Sequence, residues 1–505
     1  MTPRICALVL GASAGLAIAQ NQTSIFSPVT NWNGAYTLSV QQYDMGTASV
    51  PTLQSFASAS YGDEWVVLAG RTNGLHGFTN SGTVNFPPAS QNTEIWVVDP
   101  VTKQTWSKSL SSSGLSDSII SSLSATATQS FTQGSTLFVS GGYVYDSTAN
   151  NFTTYNTLTA IDVADVVSWV KGETSSLAAN SVLQTTGGTS SNGSYTGGFF
   201  AVTGGEMYQT GSTVQLVFGQ DFEGPYTPGS NGTYTSQVRS FTIDYNKENG
   251  TLGYTETQVS PGPGDPTQFR RRDLNVAPSL SKNPEGGAPV AGLIAYSGVF
   301  YNGEGVWTVP VEIGADGVPV MADPSNPATF KQAMSNYDAA KLGLYSNATG
   351  EFTEFFFGGI TANTYNPTTG TLTYDAEFPF TSQISAITRD ENGNYAQYYA
   401  GGLPQILDSE GKVILFGAEA KFFPVLGLPT YDNGVIDLDA LTDGTLLGYI
   451  YGGIAADAPN NGKTAASNEV FAVYYTAVPE PSALALLALG LPLVWLLRHS
   501  RQAVR

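Results

Sequence analysis

Short segments in which apolar and polar residues alternate recur along most of the chain, and glycine-rich turns separate them. Alternation with a period of two, and enrichment in Val, Ile, Phe and Tyr, are typical of β-strands. One unit recurs six times: an apolar strand that ends in glycine, a loop, and a second alternating strand. The strands end at six marker glycines, Gly70, Gly141, Gly219, Gly298, Gly358 and Gly452. The body of the chain is therefore predicted to be all-β.

The marker glycines are 60 to 94 residues apart, which is enough for a four-stranded sheet with long loops. Stacking such sheets around an axis buries both faces of each sheet and leaves few exposed edges. The order of strand, Gly-Gly, loop, strand and Trp resembles the repeat of kelch-type β-propellers, most closely from Trp65 to Trp106. The resemblance implies one kelch-like β-propeller over residues 20–477. A β-sandwich, or two small β domains, is the alternative.

Six blades are predicted, although seven remain an alternative. A further strand-like segment, Val413–Gly417, lies only 35 residues before Gly452, so it is predicted to be a hairpin insertion rather than a blade. The last repeat stops at Thr476 without an outer strand. The N-terminal segment Trp32–Val40 is predicted to supply that strand and to close the ring with the C-terminal strand. The apolar spacing from Asp162 to Val170 predicts one short helix.

The composition limits the chemistry of the protein. Of 505 residues 41% are hydrophobic and 12% are charged, and the formal net charge of −20 repels nucleic acid. The single cysteine, Cys6, precedes the predicted mature chain, whose body holds one histidine, His76. Zinc, copper, haem and iron–sulfur sites need several Cys or His ligands, so we predict no metal and no cofactor. A lone loop histidine is more often structural than catalytic, and no catalytic residue is predicted.

The N-terminus has the pattern of a secretory signal peptide. Arg4 precedes an apolar segment from Ile5 to Ala19, which ends in small residues two positions apart. The segment is too short and too rich in Ala and Gly for a transmembrane anchor, which is the alternative. Residues 1–19 are therefore predicted to be removed on export.

The C-terminus, residues 478–505, carries the most specific motif. An apolar segment from Ala483 to Leu497 is predicted to form a short transmembrane helix. The candidate signal residues on its two sides are Val478, Pro479, Glu480, Pro481, Arg498 and Arg501. A Pro-Glu-Pro segment, a short apolar helix and an Arg-rich end resemble the PEP-CTERM sorting signal of Gram-negative bacteria. The resemblance implies cleavage by an exosortase, passage through the inner membrane with the secretion machinery, and a place at the cell surface or outside it. An ordinary single-pass anchor is the alternative.

Four arginines are the candidate ligand-binding residues: Arg71, Arg270, Arg271 and Arg272. The last three stand side by side in an acidic protein, after a Pro/Gly-rich segment and before a predicted inner strand. Guanidinium groups bind carboxylates, sulfates and phosphates in a bidentate manner. Recognition of an acidic sugar or acidic side chain at the mouth of the channel is the hypothesis, and ion pairing with neighbouring carboxylates is the alternative.

The predicted function is that of an exported, non-catalytic binding or scaffold protein of the extracellular matrix, with a polysaccharide or a surface protein as its partner. A metal-free enzyme that acts on glycans with two carboxylates is the alternative, because such enzymes need only two acids about 5–10 Å apart. A purely structural surface component is a third possibility. A pair of acids with raised pKa values in the central funnel would favour the enzyme.

Overall fold

The structure is a computed structural model that describes residues 26–190, 197–230, 232–262, 267–299, 301 and 305–478. No helix in this part of the chain is long and apolar enough to span a membrane. The predicted signal peptide and the predicted C-terminal helix with its Pro-Glu-Pro segment lie outside the described residues. Helical segments are short: Gly82–Asn85, Asp117–Ser122 and Val163–Val170 are α-helical, and Pro88–Ser90, Leu110–Ser112, Thr267–Phe269 and Leu438–Ala440 are 3₁₀ turns.

Six antiparallel sheets of four main strands follow one another along the chain. Sheet 1 contains Ala57–Tyr61, Glu64–Leu68, Glu94–Asp99 and Gln104–Ser109. Sheet 2 contains Gln129–Gln133, Thr136–Ser140, Thr157–Asp162 and Val182–Thr186. Sheet 3 contains Glu206–Thr210, Thr213–Val217, Val238–Asn246 and Thr251–Ser260.

Sheet 4 contains Val276–Ser281, Val290–Ala295, Val311–Ile313 and Pro319–Met321. Sheet 5 contains Ala340–Ser346, Glu351–Ile360, Phe380–Arg389 and Tyr395–Gly402, with the short parallel strands Val29–Asn31 and Ile436–Asp437 at its two edges. Sheet 6 contains Lys421–Pro424, Leu446–Tyr451, Val470–Ala477 and, from the N-terminus, Tyr36–Gln42.

The six sheets pack face to face in a cycle. Successive residues of a strand point to opposite faces of the sheet. The second strand of each sheet therefore contributes side chains to two different cores. Each core lies between neighbouring sheets, and the last core joins sheet 6 to sheet 1. In order, the cores include Val97 with Leu137, Phe138 with Leu216, Val217 with Leu293, Ile294 with Phe356, Phe357 with Ile450, and Val470 with Val67. This arrangement is a β-propeller-type fold.

The predicted pairing of the two chain ends is confirmed. Strand Tyr36–Gln42 is antiparallel to Val470–Ala477, with Tyr36 opposite Ala477, and it forms the outer edge of sheet 6. The N–H group of Val478, the first residue of the predicted sorting signal, donates to the carbonyl of Ala35 at 2.9 Å. Sheet 6 therefore joins a strand from the N-terminal part of the chain to the last described strand.

The segment at Val413–Ala418 is a hairpin insertion, as predicted, and not a seventh sheet of the cycle. It pairs with Ile406–Leu407 on one side and with Ile454–Ala456 on the other. Thr464–Ala466 completes this accessory sheet, which is built from the connection between sheets 5 and 6 and from a loop of sheet 6.

The predicted helix is also confirmed. The Asp162 carboxylate caps its N-terminus by accepting the N–H of Asp165 at 2.9 Å. The apolar face, with Val166 and Val167, is buried in the core between sheets 1 and 2.

All six marker glycines have a left-handed backbone with positive φ. At Gly141, φ is +61°, and an added Cβ would lie 2.1 Å from the Val202 carbonyl oxygen. Gly358 makes the equivalent approach to the Phe416 carbonyl, also at 2.1 Å. At Gly141 and Gly358 the missing side chain lets a sheet contact the segment that leads into the next one.

The close approach at Gly141 predicts a large effect of Gly141→Ala. We expect the free energy of unfolding in urea to fall by about 3 kcal/mol or more, because backbone strain and a backbone clash act together. Gly134→Ala is the matched control, because φ there is +57° but nothing lies within 4 Å of an added Cβ. That variant should lose only about 1–2 kcal/mol. Equal losses in the two variants would contradict the role assigned to Gly141.

Candidate functional site

A central cavity of about 740 Å³ lies at one end of the axis of the cycle. It is surrounded by the described residues of the connections between the second and third strands, which lie within 69–93, 141–156, 218–237, 296–310, 361–379 and 452–469. Hairpins extend some of them, namely Tyr143–Asp146 with Asn151–Thr154, Gln220–Asp221 with Thr233–Tyr234, and Asn363–Asn366 with Thr371–Tyr374. Every sheet contributes to the wall, for example through His76, Tyr143, Tyr226, Val299, Phe378 and Asn460.

One equivalent residue from each repeat lies close to the axis, just before the first strand of its sheet. These residues all have a left-handed backbone, with φ between 46° and 65°. Four of the neighbouring pairs are joined by a backbone hydrogen bond, for example from the Ala127 N–H to the Ser55 carbonyl at 3.2 Å. We call them the axial ring: Ser55, Ala127, Gly204, Asp273, Asp338 and Glu419.

The axial ring has two unlike halves. Sheets 1 to 3 contribute a hydroxyl, a methyl group and no side chain, whereas sheets 4 to 6 contribute three carboxyl groups. A left-handed backbone costs a residue other than glycine about 1–2 kcal/mol, so the surrounding structure must hold these positions. Such strain is common at functional sites. Within the small half, Ser55 and Ala127 line the cavity, whereas Gly204 makes space for the Asp273 carboxylate, which an added Cβ would approach to 2.4 Å.

Asp338 and Glu419 form a carboxyl pair in the acidic half. Their carboxyl groups lie within hydrogen-bonding reach of each other, and Glu419 also lies within reach of the Ser55 hydroxyl, which donates to Gln54 Oε1. The Glu419 N–H donates to the Asp338 carbonyl at 2.5 Å. Burial, together with the negative charge of Asp273, raises the pKa of Glu419 to about 7. Burial and the charge of Glu419 raise the pKa of Asp338 well above its usual range.

Arg272 lines the cavity from sheet 4, next to Asp273 of the axial ring. It forms an ion pair with Asp273, and its Nε donates to the Tyr234 hydroxyl at 3.0 Å. Although burial opposes the charge, the carboxylate of Asp273 holds the pKa of Arg272 above its ordinary value. Arg272 is therefore a permanent positive charge in the wall.

Arg71 lines the same cavity from sheet 1. Its Nε donates to Asn73 Oδ1 and its Nη2 to the Pro87 carbonyl, both at 2.9 Å, and its guanidinium lies 5.1 Å from the centre of the Phe86 ring. Burial lowers the pKa of Arg71 to about 10, which leaves it charged at neutral pH. Two of the four predicted arginines are thus brought to one cavity.

The other two predicted arginines do not line the cavity. Arg271 is fully buried, and its guanidinium donates to the carbonyls of Ser297 and Val309 and lies 4.6 Å from the centre of the Trp307 ring. Its predicted ligand contact is therefore corrected to a structural role in the loop of sheet 4. Arg270 stacks on the ring of Tyr234, with 3.8 Å from its Cζ to the ring centre.

His76 lies in the cavity wall, although we predicted no function for it. Its ring contacts those of Phe86 and Tyr226, at centroid distances of 5.0 and 4.6 Å. Burial lowers the pKa of His76, so the ring is neutral at pH 7. With Nδ1 3.0 Å from the Gly77 carbonyl, the tautomer with a proton on Nδ1 is favoured.

Among the described residues, no group of three or more His, Cys, Asp and Glu side chains is placed to hold a metal ion. The wall instead offers positive charge, carboxyl groups, hydroxyls and aromatic faces. That set can bind a polar anionic molecule and can exchange protons with it.

Comparison with known proteins gives no assignment of function. No protein-family model matches the chain, and no curated protein shows significant sequence similarity to it. Among solved structures, one titled "Structure of YjhT" aligns with 84% of this chain and 95% of its own, at 11% identity and a TM-score of 0.41. The fold described above therefore rests on the pairing and packing of the six sheets.

Sequence reasoning missed the acids of the axial ring. Asp338 and Glu419 each stand two residues before the first strand of their sheets, and Asp273 stands three residues before its own. Alignment of the six repeats on those strands, rather than on the marker glycines, would have placed Asp338 and Glu419 at one position and Asp273 one residue away from it.

Proposed function

We propose that the central cavity binds a carbohydrate that carries a carboxylate group. The observation that supports this most is the presence of Arg71 and Arg272 in one cavity of a protein with a net charge of −20. A guanidinium group matches a carboxylate in shape and charge. Aromatic rings such as Phe86 and Tyr226 offer apolar faces to a sugar ring, and the volume is within the usual range of about 300–1,000 Å³ for small-molecule sites.

We further propose that the protein is a kelch-type propeller that is exported and sorted through a PEP-CTERM signal. The sequences at residues 1–19 and 478–505 support export and sorting, and the six-fold repeat with its marker glycines supports the kelch relationship. In that setting, the ligand is an acidic polysaccharide of the extracellular matrix, and the protein is a binding or scaffold component of it.

Acid–base catalysis is the second candidate, and the carboxyl pair of Asp338 and Glu419 favours it. Groups with a pKa near 7 are suited to proton transfer at neutral pH. The two carboxyl groups, within hydrogen-bonding reach of each other, are closer than the separation of about 5–10 Å in two-carboxylate glycosidases. The pair therefore suits the sharing of a proton better than glycoside hydrolysis.

The test is a calorimetric titration of the full-length protein with tri-galacturonate and, as the matched neutral ligand, with galactotriose. We expect tri-galacturonate to bind at least roughly tenfold more tightly, because the neutral sugar offers no carboxylate to either guanidinium group. New reducing ends should not appear during incubation. New ends would favour the second candidate, and equal or absent binding of the two sugars would overturn recognition of a carboxylate.

A further inference from the structure

Building on the proposed function, we infer that Asp338 and Glu419 share one proton and that the cavity takes up its anionic ligand together with that proton. Both side chains line the same cavity, their backbones are joined by a hydrogen bond, and their carboxyl groups lie within hydrogen-bonding reach of each other. A hydrogen bond between two carboxyl groups requires a proton on one of them, because two carboxylates have only acceptors. The pair thus carries one negative charge when the proton is present and two when it is lost.

The backbone holds the two carboxyl groups together. Both residues have a left-handed conformation, with φ of 49° and 59°, and the Glu419 N–H donates to the Asp338 carbonyl at 2.5 Å. This restraint opposes separation of the side chains when both are ionised. Two carboxylates at such close range repel each other strongly, so the second ionisation is displaced to higher pH.

The charges around the pair are nearly balanced, so the charge of the pair itself decides how negative this end of the cavity is. The charged and polar groups near it come from five sheets, and two of them are anions and two are cations. These groups are Ser55 of sheet 1, Glu206 of sheet 3, Arg272 and Asp273 of sheet 4, Tyr337 of sheet 5 and Lys421 of sheet 6. Arg272 forms an ion pair with Asp273, and Lys341 forms one with Glu206. The positive charges of Arg272 and Lys341 are therefore already largely balanced. A carboxylate ligand would add another negative charge to this field.

The ligand and the pair must therefore compete for the same positive potential. At a pH where the pair carries one proton, an anion beside Arg71 and Arg272 meets one negative charge on the pair. Above that pH it meets two, and binding must draw a proton from solvent. No bond in the ligand is made or broken, and water or buffer supplies the proton. By linkage, the affinity for the anion then falls as pH rises, by up to about tenfold per pH unit.

The experiment measures the affinity of the full-length protein for tri-galacturonate from about pH 5 to about pH 8, where the ligand itself is fully ionised. The wild-type affinity should fall across this range, and heats measured in buffers of different ionisation enthalpy should show proton uptake. Glu419→Gln and Asp338→Asn replace one acid with a neutral group of similar shape. Each should flatten the pH profile.

Glu354→Gln is the matched control. Glu354 is a buried acid whose pKa burial raises well above its usual range, but it does not line the cavity. This variant should keep the wild-type pH profile of binding. A flat wild-type profile, or a steep one in Glu419→Gln, would overturn the inference and leave the proposed function standing.

A second readout needs no ligand. Because folding raises the pKa values of the pair, the folded state holds more protons than the unfolded state between the ordinary and the raised values, and stability falls as pH rises through that window. The wild-type Tm should therefore fall from about pH 5 to about pH 8 relative to that of Glu419→Gln. An equal pH dependence in the two proteins would overturn proton sharing. Failure of tri-galacturonate to bind at any pH would overturn the proposed function and the coupling to a ligand, whatever the Tm shows.

Discussion

Arg272→Gln should weaken the binding of tri-galacturonate by about 100-fold, because it removes a charged donor from a cavity whose other half is acidic. The loss has two parts. The ligand carboxylate loses its guanidinium partner, and Asp273, released from its ion pair, adds uncompensated negative charge close to the carboxyl pair. The measurement is calorimetric titration at about pH 6, where the pair retains its proton.

A double variant separates these two parts. In Arg272→Gln/Asp273→Asn the repulsion from Asp273 is absent, so roughly tenfold of the affinity should return, while the loss of the guanidinium remains. Lys282→Gln is the control for the removal of any cation, because Lys282 forms an exposed ion pair with Glu391 on the surface of sheet 4. It should leave the affinity unchanged. Equal losses in Lys282→Gln and Arg272→Gln would show that net charge, and not the cavity, attracts the ligand.

Arg271→Gln should behave differently from Arg272→Gln although the residues are adjacent. Arg271 is buried and donates to two carbonyls, so its removal should lower the free energy of unfolding by about 2–4 kcal/mol and change the affinity little in the folded fraction. Urea unfolding and titration on the same preparation distinguish the two effects. A loss of affinity without a loss of stability would place Arg271 in the site, contrary to the structure.

The overall architecture could be predicted from the sequence because each repeat has the same pattern of alternating apolar residues and a marker glycine. Period-two alternation places side chains in two cores, and the marker glycines are needed where backbones approach closely, as at Gly141. The last repeat has no outer strand after Thr476, so the edge of its sheet would be left exposed. An exposed sheet edge needs a pairing strand, and this indicated the pairing with Trp32–Val40. These inferences depend on residues close together in sequence.

The site could be predicted only in part because it depends on contacts between distant segments. Asp338 and Glu419 lie in different sheets, and only the closure of the cycle brings their carboxyl groups within hydrogen-bonding reach of each other. In the same way, the sequence drew attention to three adjacent arginines. It did not show that Arg271 is buried in the loop of sheet 4 whereas Arg272 lines the cavity. The segment that contains these arginines is neither a helix nor a strand, so no periodicity in the sequence predicts which of their side chains face the cavity.

The ion pair of Lys341 and Glu206 should be the largest single polar contribution to stability near the axis. It joins the first strands of sheets 5 and 3, with 2.8 Å between Nζ and Oε1, and both side chains are about six-sevenths buried, with exposures of 13% and 15%. Although burial opposes its charge, Glu206 holds the pKa of Lys341 above its ordinary value. We expect Lys341→Met to lower the free energy of unfolding in urea by about 3–5 kcal/mol, because it leaves the Glu206 carboxylate buried without a partner.

The double variant Lys341→Met/Glu206→Gln should recover most of that loss, because it removes the unpaired charge together with its partner. The two variants should also differ at the carboxyl pair. Glu206 is one of the charges that raise the pKa of Asp338, and without Lys341 its field is no longer balanced. The pH above which affinity for tri-galacturonate falls should therefore move upward in Lys341→Met and return towards the wild-type value in the double variant. If Lys341→Met lowers the stability but does not shift the pH above which affinity falls, the ion pair contributes to stability near the axis and has no effect on the carboxyl pair.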